Sequence, residues 1–183
     1  MNKLRFALIG CGRISKNHIV ASAENKDICE LVAVCDPVTE RAEQKAAQYE
    51  ELMGVRPAVY ADYKKMLEEM EIDCCAIATE SGYHAEIALY CIQHGKHVLV
   101  EKPMALSTAD AEKMIAEAKA HKVTLAYAIR TALTHRSSSC TRRWRTAVLE
   151  SWSTAQRASF GTAQCRTMSR LRGAVPGRRT AVR

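Results

Sequence analysis

The sequence predicts an α/β fold in which helices cover both faces of a doubly wound parallel sheet. Short apolar runs alternate with longer segments rich in Ala, Glu, Gln and Lys throughout residues 1–126. The runs are apolar without strict alternation, which is typical of parallel strands buried on both faces. Each strand–helix unit also has the length of a right-handed crossover, so the segments can form one parallel sheet.

Six strands and five helices are expected in order along this part of the chain. The predicted strands cover residues 4–9, 31–35, 58–60, 72–79, 97–100 and 123–126. The predicted helices cover residues 14–23, 39–53, 63–70, 85–93 and 107–121. Asp62 and Ser107 are placed to cap the third and fifth helices, while Gly54 and Gly95 follow the ends of the second and fourth.

Composition favours a globular chain without membrane or secretion signals. Hydrophobic residues make up 48% of the 183 residues, enough to build a core in about 120 of them. No apolar run approaches the roughly 18 residues that a membrane helix needs. The apolar stretch behind the charged start is too short for a signal peptide. The expectation is therefore a cytoplasmic protein with no membrane partner.

The eight cysteines are expected to be reduced core residues rather than disulfide partners. Six of them lie within apolar strand or helix patterns: Cys11, Cys29, Cys35, Cys74, Cys75 and Cys91. No CxxC pair is present, so no zinc or other metal site is expected. Met66 and Met70 are assigned to the core. The scattered histidines are assigned to solvated or helix-terminal positions: His18, His94, His97 and His121.

A glycine motif lies between the first strand and the first helix. Gly10-Cys11-Gly12-Arg13-Ile14-Ser15 reads GxGxxS, a variant of the dinucleotide fingerprint of Rossmann domains. The first glycine allows a tight turn, the second lets backbone approach a pyrophosphate, and the small serine permits close helix–strand packing. The helix N-terminus then offers free N–H groups to the phosphates. Arg13 is expected either over the pyrophosphate or in water, and an ordinary strand–helix turn is the alternative for the motif.

Asp36 ends the second strand, 26 positions after Gly10. An acid at this place accepts hydrogen bonds from the ribose hydroxyls of NAD and repels the 2′-phosphate of NADP. NAD is therefore the expected cofactor, with NADP disfavoured. The alternative reading of Asp36 is a cap for the helix that begins at Thr39.

Glu101-Lys102-Pro103 at the end of the fifth strand points to a family. Together with the glycine motif, Asp36 and the ATESGYH segment over residues 78–84, it resembles the Gfo/Idh/MocA oxidoreductases throughout residues 1–126. In particular it is similar to members that oxidise the 3-hydroxyl of UDP-N-acetylglucosaminuronic acid. The resemblance implies hydride transfer between nicotinamide and a sugar or nucleotide-sugar hydroxyl. It also implies a second α/β domain that supplies the substrate pocket and through which full-length members form homo-oligomers.

The resemblance also implies roles for single residues. Lys102 is expected to act catalytically beside the nicotinamide and the reacting hydroxyl, where an ammonium stabilises developing negative charge on oxygen. Glu101 would orient nearby groups, and the bond before Pro103 is often cis in the family. The expected cofactor-binding residues beyond the glycine loop are Asp36, Thr79, Ser81, His84, Glu101 and Lys102. Glu80 departs from the family pattern, which has proline there. For Lys102 the alternative is a surface lysine at a strand end.

Residues 127–183 differ sharply from the rest of the chain. Residues 1–126 carry 15 basic and 19 acidic side chains, a balance of −4, whereas the remainder carries 12 arginines and one acid, a balance of +11. No apolar period persists in this segment. A disordered basic tail is one interpretation. A nucleic-acid-binding arm around Arg142, Arg143 and Arg145 is a second.

A third interpretation is a change of reading frame. If one base is restored near the codon for Ala126, codons compatible with residues 127–183 read a family-like sequence without a stop. That reading contains a strand, an amphipathic helix, a GRFG turn and RGTWE and DGG segments. We therefore expect a dinucleotide-binding domain over residues 1–126 and a frameshifted tail over residues 127–183 in place of the second domain.

Three functions are compatible with these observations. The leading one is an NAD-dependent sugar oxidoreductase whose chain, in this form, binds the dinucleotide but has little or no turnover. The second is a non-catalytic dinucleotide-binding module, which predicts tight NADH binding by a folded chain. The third is a nucleic-acid binder, which predicts salt-dependent DNA affinity that disappears on deletion of residues 127–183. Because a basic tail binds DNA without specificity, no specific nucleic-acid partner is expected.

Overall fold

The computed structural model describes residues 3–128, all within the first of two compact units, Met1–Thr131. The described residues form a six-stranded parallel sheet in the order β3-β2-β1-β4-β5-β6. The strands are β1 Leu4–Ile9, β2 Cys29–Cys35, β3 Ala58–Tyr60, β4 Cys74–Ile77, β5 His97–Val100 and β6 Leu125–Tyr127. The helices are α1 Ser15–Glu24, α2 Thr39–Met53, α3 Tyr63–Glu69, α4 His84–Gln93 and α5 Thr108–Ala120. The predicted α/β fold is confirmed.

The two faces of the sheet pack against different helices. One face carries a core cluster that joins the strands to α3, α4 and α5, and its members include Ala7, Ile9, Cys75, Ile77, Val98, Val100, Leu67, Ile87, Cys91 and Met114. Because successive strand residues point to opposite faces, Leu8, Val34 and Ala76 face α1 and α2. The buried residues of those two helices are Ser15, Ile19, Ser22, Ala42, Ala46 and Tyr49. The sheet is therefore covered on both sides, as its unbroken apolar strands predict.

Most predicted core and capping residues are confirmed. Five of the six cysteines in the described residues are buried, Cys29 is half-buried, and all six are free thiols. Met66 is buried and Met70 packs on the core from a partly buried position. The Asp62 carboxylate accepts from Lys64 N at 2.8 Å, and Ser107 Oγ accepts from Asp110 N at 3.1 Å. Gly54 and Gly95 each end a helix with a φ of +71°.

Three strands differ from their predicted bounds. β2 begins at Cys29, two residues early, and β4 is limited to Cys74–Ile77, although the backbone on either side of it still bonds to β1. Asp73 N donates to Arg5 O, and Ala78 N donates to Ile9 O. β6 begins later because Val123 N still closes the end of α5 by donating to Ala118 O. It then runs to Tyr127, one residue beyond the predicted change at 126, while the rest of the predicted tail lies outside the described residues.

No helix within residues 3–128 has the length and apolar character needed to cross a membrane. The same residues contain no group of three or more histidine, cysteine, aspartate or glutamate side chains arranged to hold a metal ion.

An ion pair ties the amino ends of the two central strands. The Arg5 guanidinium donates to both Asp73 oxygens, at 3.1 and 2.9 Å, and also contacts Glu71. These side chains, with Lys96 and His97, line a shallow cavity of about 320 Å³ at the edge of the sheet where the strands begin. Because ligands of open α/β sheets bind at the opposite, carboxyl edge, we assign this cluster a structural role.

The hydrogen bond from Arg5 holds the pKa of Asp73 below its ordinary value of 3.8. Since the folded-state pKa is the lower one, the stabilisation is complete above about pH 4 and is lost as the pH falls through the folded pKa. We expect Arg5→Gln to lower the free energy of unfolding at pH 7 and to approach the parent chain at pH 2. Urea denaturation from pH 2 to 7 measures this.

Arg56→Gln is the matched control for that experiment. Arg56 also pairs with two carboxylates, those of Glu43 and Glu50, but all three side chains are more than 40% exposed. Exposed pairs of this kind contribute little to stability. Equal losses of stability in the two variants would contradict a special role for the Arg5–Asp73 pair.

Candidate cofactor site

The register of the sheet brings the predicted site residues to one edge. Ile9 pairs with Cys35 on one side and with Ile77 on the other, and Ile77 pairs in turn with Val100. The residues that follow these four strand ends therefore lie side by side at the carboxyl edge. The strand order reverses between β1 and β4, the position at which doubly wound sheets bind ligands.

Gly10 has a backbone conformation and a close contact that only glycine accepts. Its φ is +95°, and a Cβ at this position would lie 2.6 Å from the carbonyl carbon of Ala78 and from Thr79 N. Gly10 N also donates to Cys35 O at 2.8 Å. The first glycine thus joins the loops that follow β1, β2 and β4, which confirms the tight turn expected from the motif.

Gly12 faces open space at the start of α1. A Cβ placed on it would meet no atom within 4 Å. Among the described residues, the backbone N–H groups of Gly12, Arg13 and Ile14 have no hydrogen-bond acceptor. The buried Ser15 hydroxyl donates to Gly12 O at 2.6 Å and holds the loop closed beneath them. Free N–H groups around an uncovered glycine at a helix N-terminus fit the pyrophosphate of a dinucleotide.

Asp36 is a buried carboxylate, 6% exposed, that fixes two loops. Its Oδ2 accepts from Cys11 N at 2.8 Å and its Oδ1 accepts from Val38 N at 2.9 Å. Val38, rather than Asp36, is the N-cap residue of α2, so the alternative reading of Asp36 as a helix cap is wrong. An ionised carboxylate has about four acceptor sites. The two that remain can accept ribose hydroxyls.

Cys11 contributes its backbone rather than its thiol to the loop. Burial, reinforced by the negative charge of Asp36, raises the pKa of the Cys11 thiol to about 12. The protonated sulfur lies 3.7 Å from Cys35 O. It is therefore a packed, unreactive group at neutral pH.

The segment that holds Lys102 is fixed through Glu101. Glu101 N donates to Ile77 O at 2.9 Å, and its carboxylate accepts from His18 Nε2 at 3.0 Å and from Lys102 N at 3.3 Å. The Lys102 side chain is exposed at the carboxyl edge. The bond between Lys102 and Pro103 is cis, as the family resemblance implies.

His18 is the site residue that sequence reasoning missed. Its assignment to a solvated position is wrong, because its side chain is only 10% exposed and pairs with Glu101. Burial lowers the pKa of His18, against the opposing effect of the Glu101 charge, so the ring is neutral at pH 7 and donates one N–H. One signal was available in the sequence. His18 lies three residues after Ser15 and four before Ser22, on the buried face of α1.

The segment after β4 supplies a second buried histidine. His84 is 1% exposed; its Nδ1 lies 2.7 Å from Pro103 O and its Nε2 lies 3.1 Å from Thr79 O. A direct contact between this ring and a cofactor would require one of those bonds to break. Thr79 and Ser81 are half-buried, whereas Glu80 is exposed, and Thr79 N lies beside Gly10.

Comparison with known proteins gives one consistent result. The model of the Gfo/Idh/MocA oxidoreductase family, NAD-binding Rossmann fold, matches residues 4–129. The scyllo-inositol 2-dehydrogenase (NADP(+)) IolU of Bacillus subtilis is 35% identical over 128 residues, which are 70% of this chain and 37% of that protein. The Thermotoga maritima myo-inositol 2-dehydrogenase is 31% identical over 122 residues, which are 67% of this chain and 35% of that protein.

Solved structures agree with these relatives. The WlbA dehydrogenase of Bordetella pertussis, in complex with NADH and UDP-GlcNAcA, has a TM-score of 0.63 and 32% identity, covering 82% of this chain and 43% of WlbA. The chain spans a little over a third of the length of the curated relatives it matches. The family match agrees with the geometry of the site, which is built from the glycine loop, Asp36 and Glu101-Lys102-Pro103. The chain belongs to the Gfo/Idh/MocA oxidoreductase family, and residues 4–129 are its NAD-binding Rossmann domain.

Proposed function

We propose that residues 1–128 bind NAD and that the protein oxidises a hydroxyl of a sugar or nucleotide sugar. One observation carries the proposal. The free N–H groups of Gly12, Arg13 and Ile14 lie beside the buried Asp36 carboxylate, and Lys102 lies at the same edge of the sheet. Along the edge from β2 through β1 to β5, these are groups for the adenosine ribose, the pyrophosphate and a reacting hydroxyl, the order in which a dinucleotide and its substrate need them.

The chain's own residues hold the cofactor and act on the hydroxyl. The glycine loop binds the pyrophosphate through backbone N–H groups, and Asp36 accepts hydrogen bonds from the adenosine ribose. Thr79 and Ser81 would line the ribose side of the dinucleotide, and Glu101 would orient the groups around Lys102. The bound dinucleotide supplies the nicotinamide ring that exchanges hydride with the sugar carbon. The Lys102 ammonium would donate a hydrogen bond to the sugar oxygen and stabilise the negative charge that develops there as the hydroxyl proton passes to solvent.

NAD is the proposed cofactor, in preference to NADP. Asp36 is buried, and both of its oxygens already accept from backbone N–H groups that fix its position. A 2′-phosphate would be brought against this fixed negative charge. The exposed residues that follow Asp36 start with Pro37 and Val38, neither of which can donate a side-chain hydrogen bond to a phosphate.

The substrate class follows from the relatives and from the chemistry of Lys102. Proteins similar to this chain include inositol dehydrogenases and a dehydrogenase crystallised with UDP-GlcNAcA. Both kinds of ligand are secondary alcohols on a ring. We propose that the full family reaction needs the second, substrate-binding domain. We propose also that the codons after Ala126 encode this domain in the shifted reading frame. This chain, read as it stands, should therefore show little or no turnover.

The two motif glycines provide a matched pair of variants. Gly10→Ala should lower the free energy of unfolding by about 3 kcal/mol, because its φ is positive and its Cβ would overlap the Ala78–Thr79 backbone. Gly12→Ala should leave stability within about 0.5 kcal/mol but weaken NADH binding by roughly tenfold, because its methyl group fills the space left for the pyrophosphate. Urea denaturation and NADH fluorescence titration measure the two effects. Normal NADH affinity in a folded Gly12→Ala chain would contradict the proposed phosphate site.

Cofactor preference is tested at Asp36. We expect the parent chain to bind NADH at least tenfold more tightly than NADPH, and Asp36→Asn to narrow this ratio because the negative charge is removed while one acceptor oxygen is kept. The measurement is a pair of fluorescence titrations for each chain at one ionic strength. Asp62→Asn, which changes an exposed helix cap, is the control. An unchanged ratio in Asp36→Asn would show that another group selects the cofactor.

The reading-frame proposal has a direct test. Sequencing the gene across the codons for residues 123–130 should reveal one missing base, and restoring it should extend the family sequence beyond residue 126. The restored protein should reduce NAD with a sugar or nucleotide sugar, and Lys102→Met should abolish that activity while leaving the free energy of unfolding near the parent value. If the printed frame is correct and the chain is active as it stands, both the frame proposal and the predicted lack of turnover are wrong.

A further inference from the structure

Two buried histidines hold the backbone on either side of Lys102. His18 donates to the carboxylate of Glu101, the residue before Lys102, across 3.0 Å. His84 reaches the carbonyl of Pro103, the residue after Lys102, across 2.7 Å. Both rings are buried. The side chain of His18 is 10% exposed, and His84 as a whole residue is 1% exposed. Lys102 itself is exposed, so its position depends on these flanking contacts.

The two histidines come from opposite faces of the sheet. His18 lies on α1, which packs with α2, and His84 begins α4, which packs with α5. Each ring also connects the Lys102 segment to another part of the site. Through His18 the segment is tied to the helix behind the glycine loop, and through His84 it is tied to Thr79 O at 3.1 Å. The segment is thus braced against both loops that surround the proposed dinucleotide.

The hydrogen-bond donors and acceptors around each histidine ring identify the bond that the ring makes. His18 is neutral and uses Nε2–H, because Glu101 offers only acceptor atoms. Both neighbours of His84 are carbonyl oxygens, which also only accept. A neutral His84 ring therefore donates to one of them at a time, and an imidazolium donates to both. The shorter contact, to Pro103 O at 2.7 Å, restrains the Lys102 segment and requires the ring proton on Nδ1.

We infer that His18 and His84 are positioning residues that hold Lys102 beside the nicotinamide half of the dinucleotide, an inference that rests on the proposed function. They act through Glu101 and Pro103 and do not touch the reacting atoms. The two histidines should therefore matter for a ligand that contains the nicotinamide half and not for one that ends at the adenosine diphosphate. NADH and ADP are the two probes that separate these cases.

Asparagine and glutamine variants separate the two nitrogens of each ring. The amide nitrogen of asparagine lies near the place of Nδ1, and that of glutamine lies near the place of Nε2. At position 84, His84→Asn should keep the bond to Pro103 and His84→Gln should lose it. At position 18 the order reverses, because the bond uses Nε2: His18→Gln should keep it and His18→Asn should lose it.

The experiment is titration of the full 183-residue chain and its four variants with NADH and with ADP. We expect NADH affinity to fall about three- to tenfold in His84→Gln and His18→Asn, the loss of one hydrogen bond, and to stay near the parent value in the other two. ADP affinity should stay within about twofold in all four. His94→Asn, at the exposed end of α4, is the control and should change neither.

Several results would overturn the inference. ADP affinity that falls in step with NADH affinity would show a structural role alone. Equal effects of asparagine and glutamine at each position would show that the individual bonds do not matter. If the parent chain binds ADP and NADH equally, the Lys102 segment does not contact the nicotinamide half. If it binds neither, the proposed function fails and the inference fails with it.

Discussion

The contact between Gly10 and the Ala78–Thr79 backbone is the constraint on which the site depends. With no side chain at position 10, the turn after β1 lies directly against the segment after β4, where a Cβ would come within 2.6 Å of its backbone. The same turn is bonded to the end of β2. β1 and β4 flank the point where the strand order reverses. The close packing of the turn after β1 on the segment after β4 therefore fixes the relative positions of the glycine loop, Asp36 and the Lys102 segment.

Backbone and side chains share the recognition of the proposed dinucleotide. The glycine loop presents uncapped N–H groups, which suit a pyrophosphate because they carry partial positive charge without a counterion. Asp36 carries full negative charge beside them, yet its two backbone hydrogen bonds hold it in place when no ribose is bound. Burying this charge would be costly without those N–H partners. The loop therefore stabilises the carboxylate, and the carboxylate in turn fixes the loop through Cys11 N.

The sequence predicted the strands and turn residues, which depend on local chemistry. It did not predict contacts between residues that are far apart in the chain. The apolar runs located all six strands, and the turn residues located Gly10, Asp36 and Lys102 at their ends. The histidines were not interpretable in this way, because His18 finds its partner 83 residues away in the chain. The spacing of His18 from Ser15 and Ser22 places it toward the buried face of α1 but does not identify the carboxylate that its ring contacts. Likewise, Asp73 N and Ala78 N, on either side of β4, donate to Arg5 O and Ile9 O, contacts between distant parts of the chain that only the tertiary structure defines.

An exposed lysine at a strand end is chemically ordinary, since water screens its charge and its long side chain is mobile. It becomes useful for hydride chemistry only if the ammonium is already in place when negative charge develops, so that no reorganisation is needed. For the proposed role of Lys102, the fold contributes by fixing the backbone: Glu101 and Pro103 are each held by a buried ring, so only the rotamers of the Lys102 side chain would have to settle when a substrate binds. The backbone on either side of the proposed reacting group is thus fixed by folding itself.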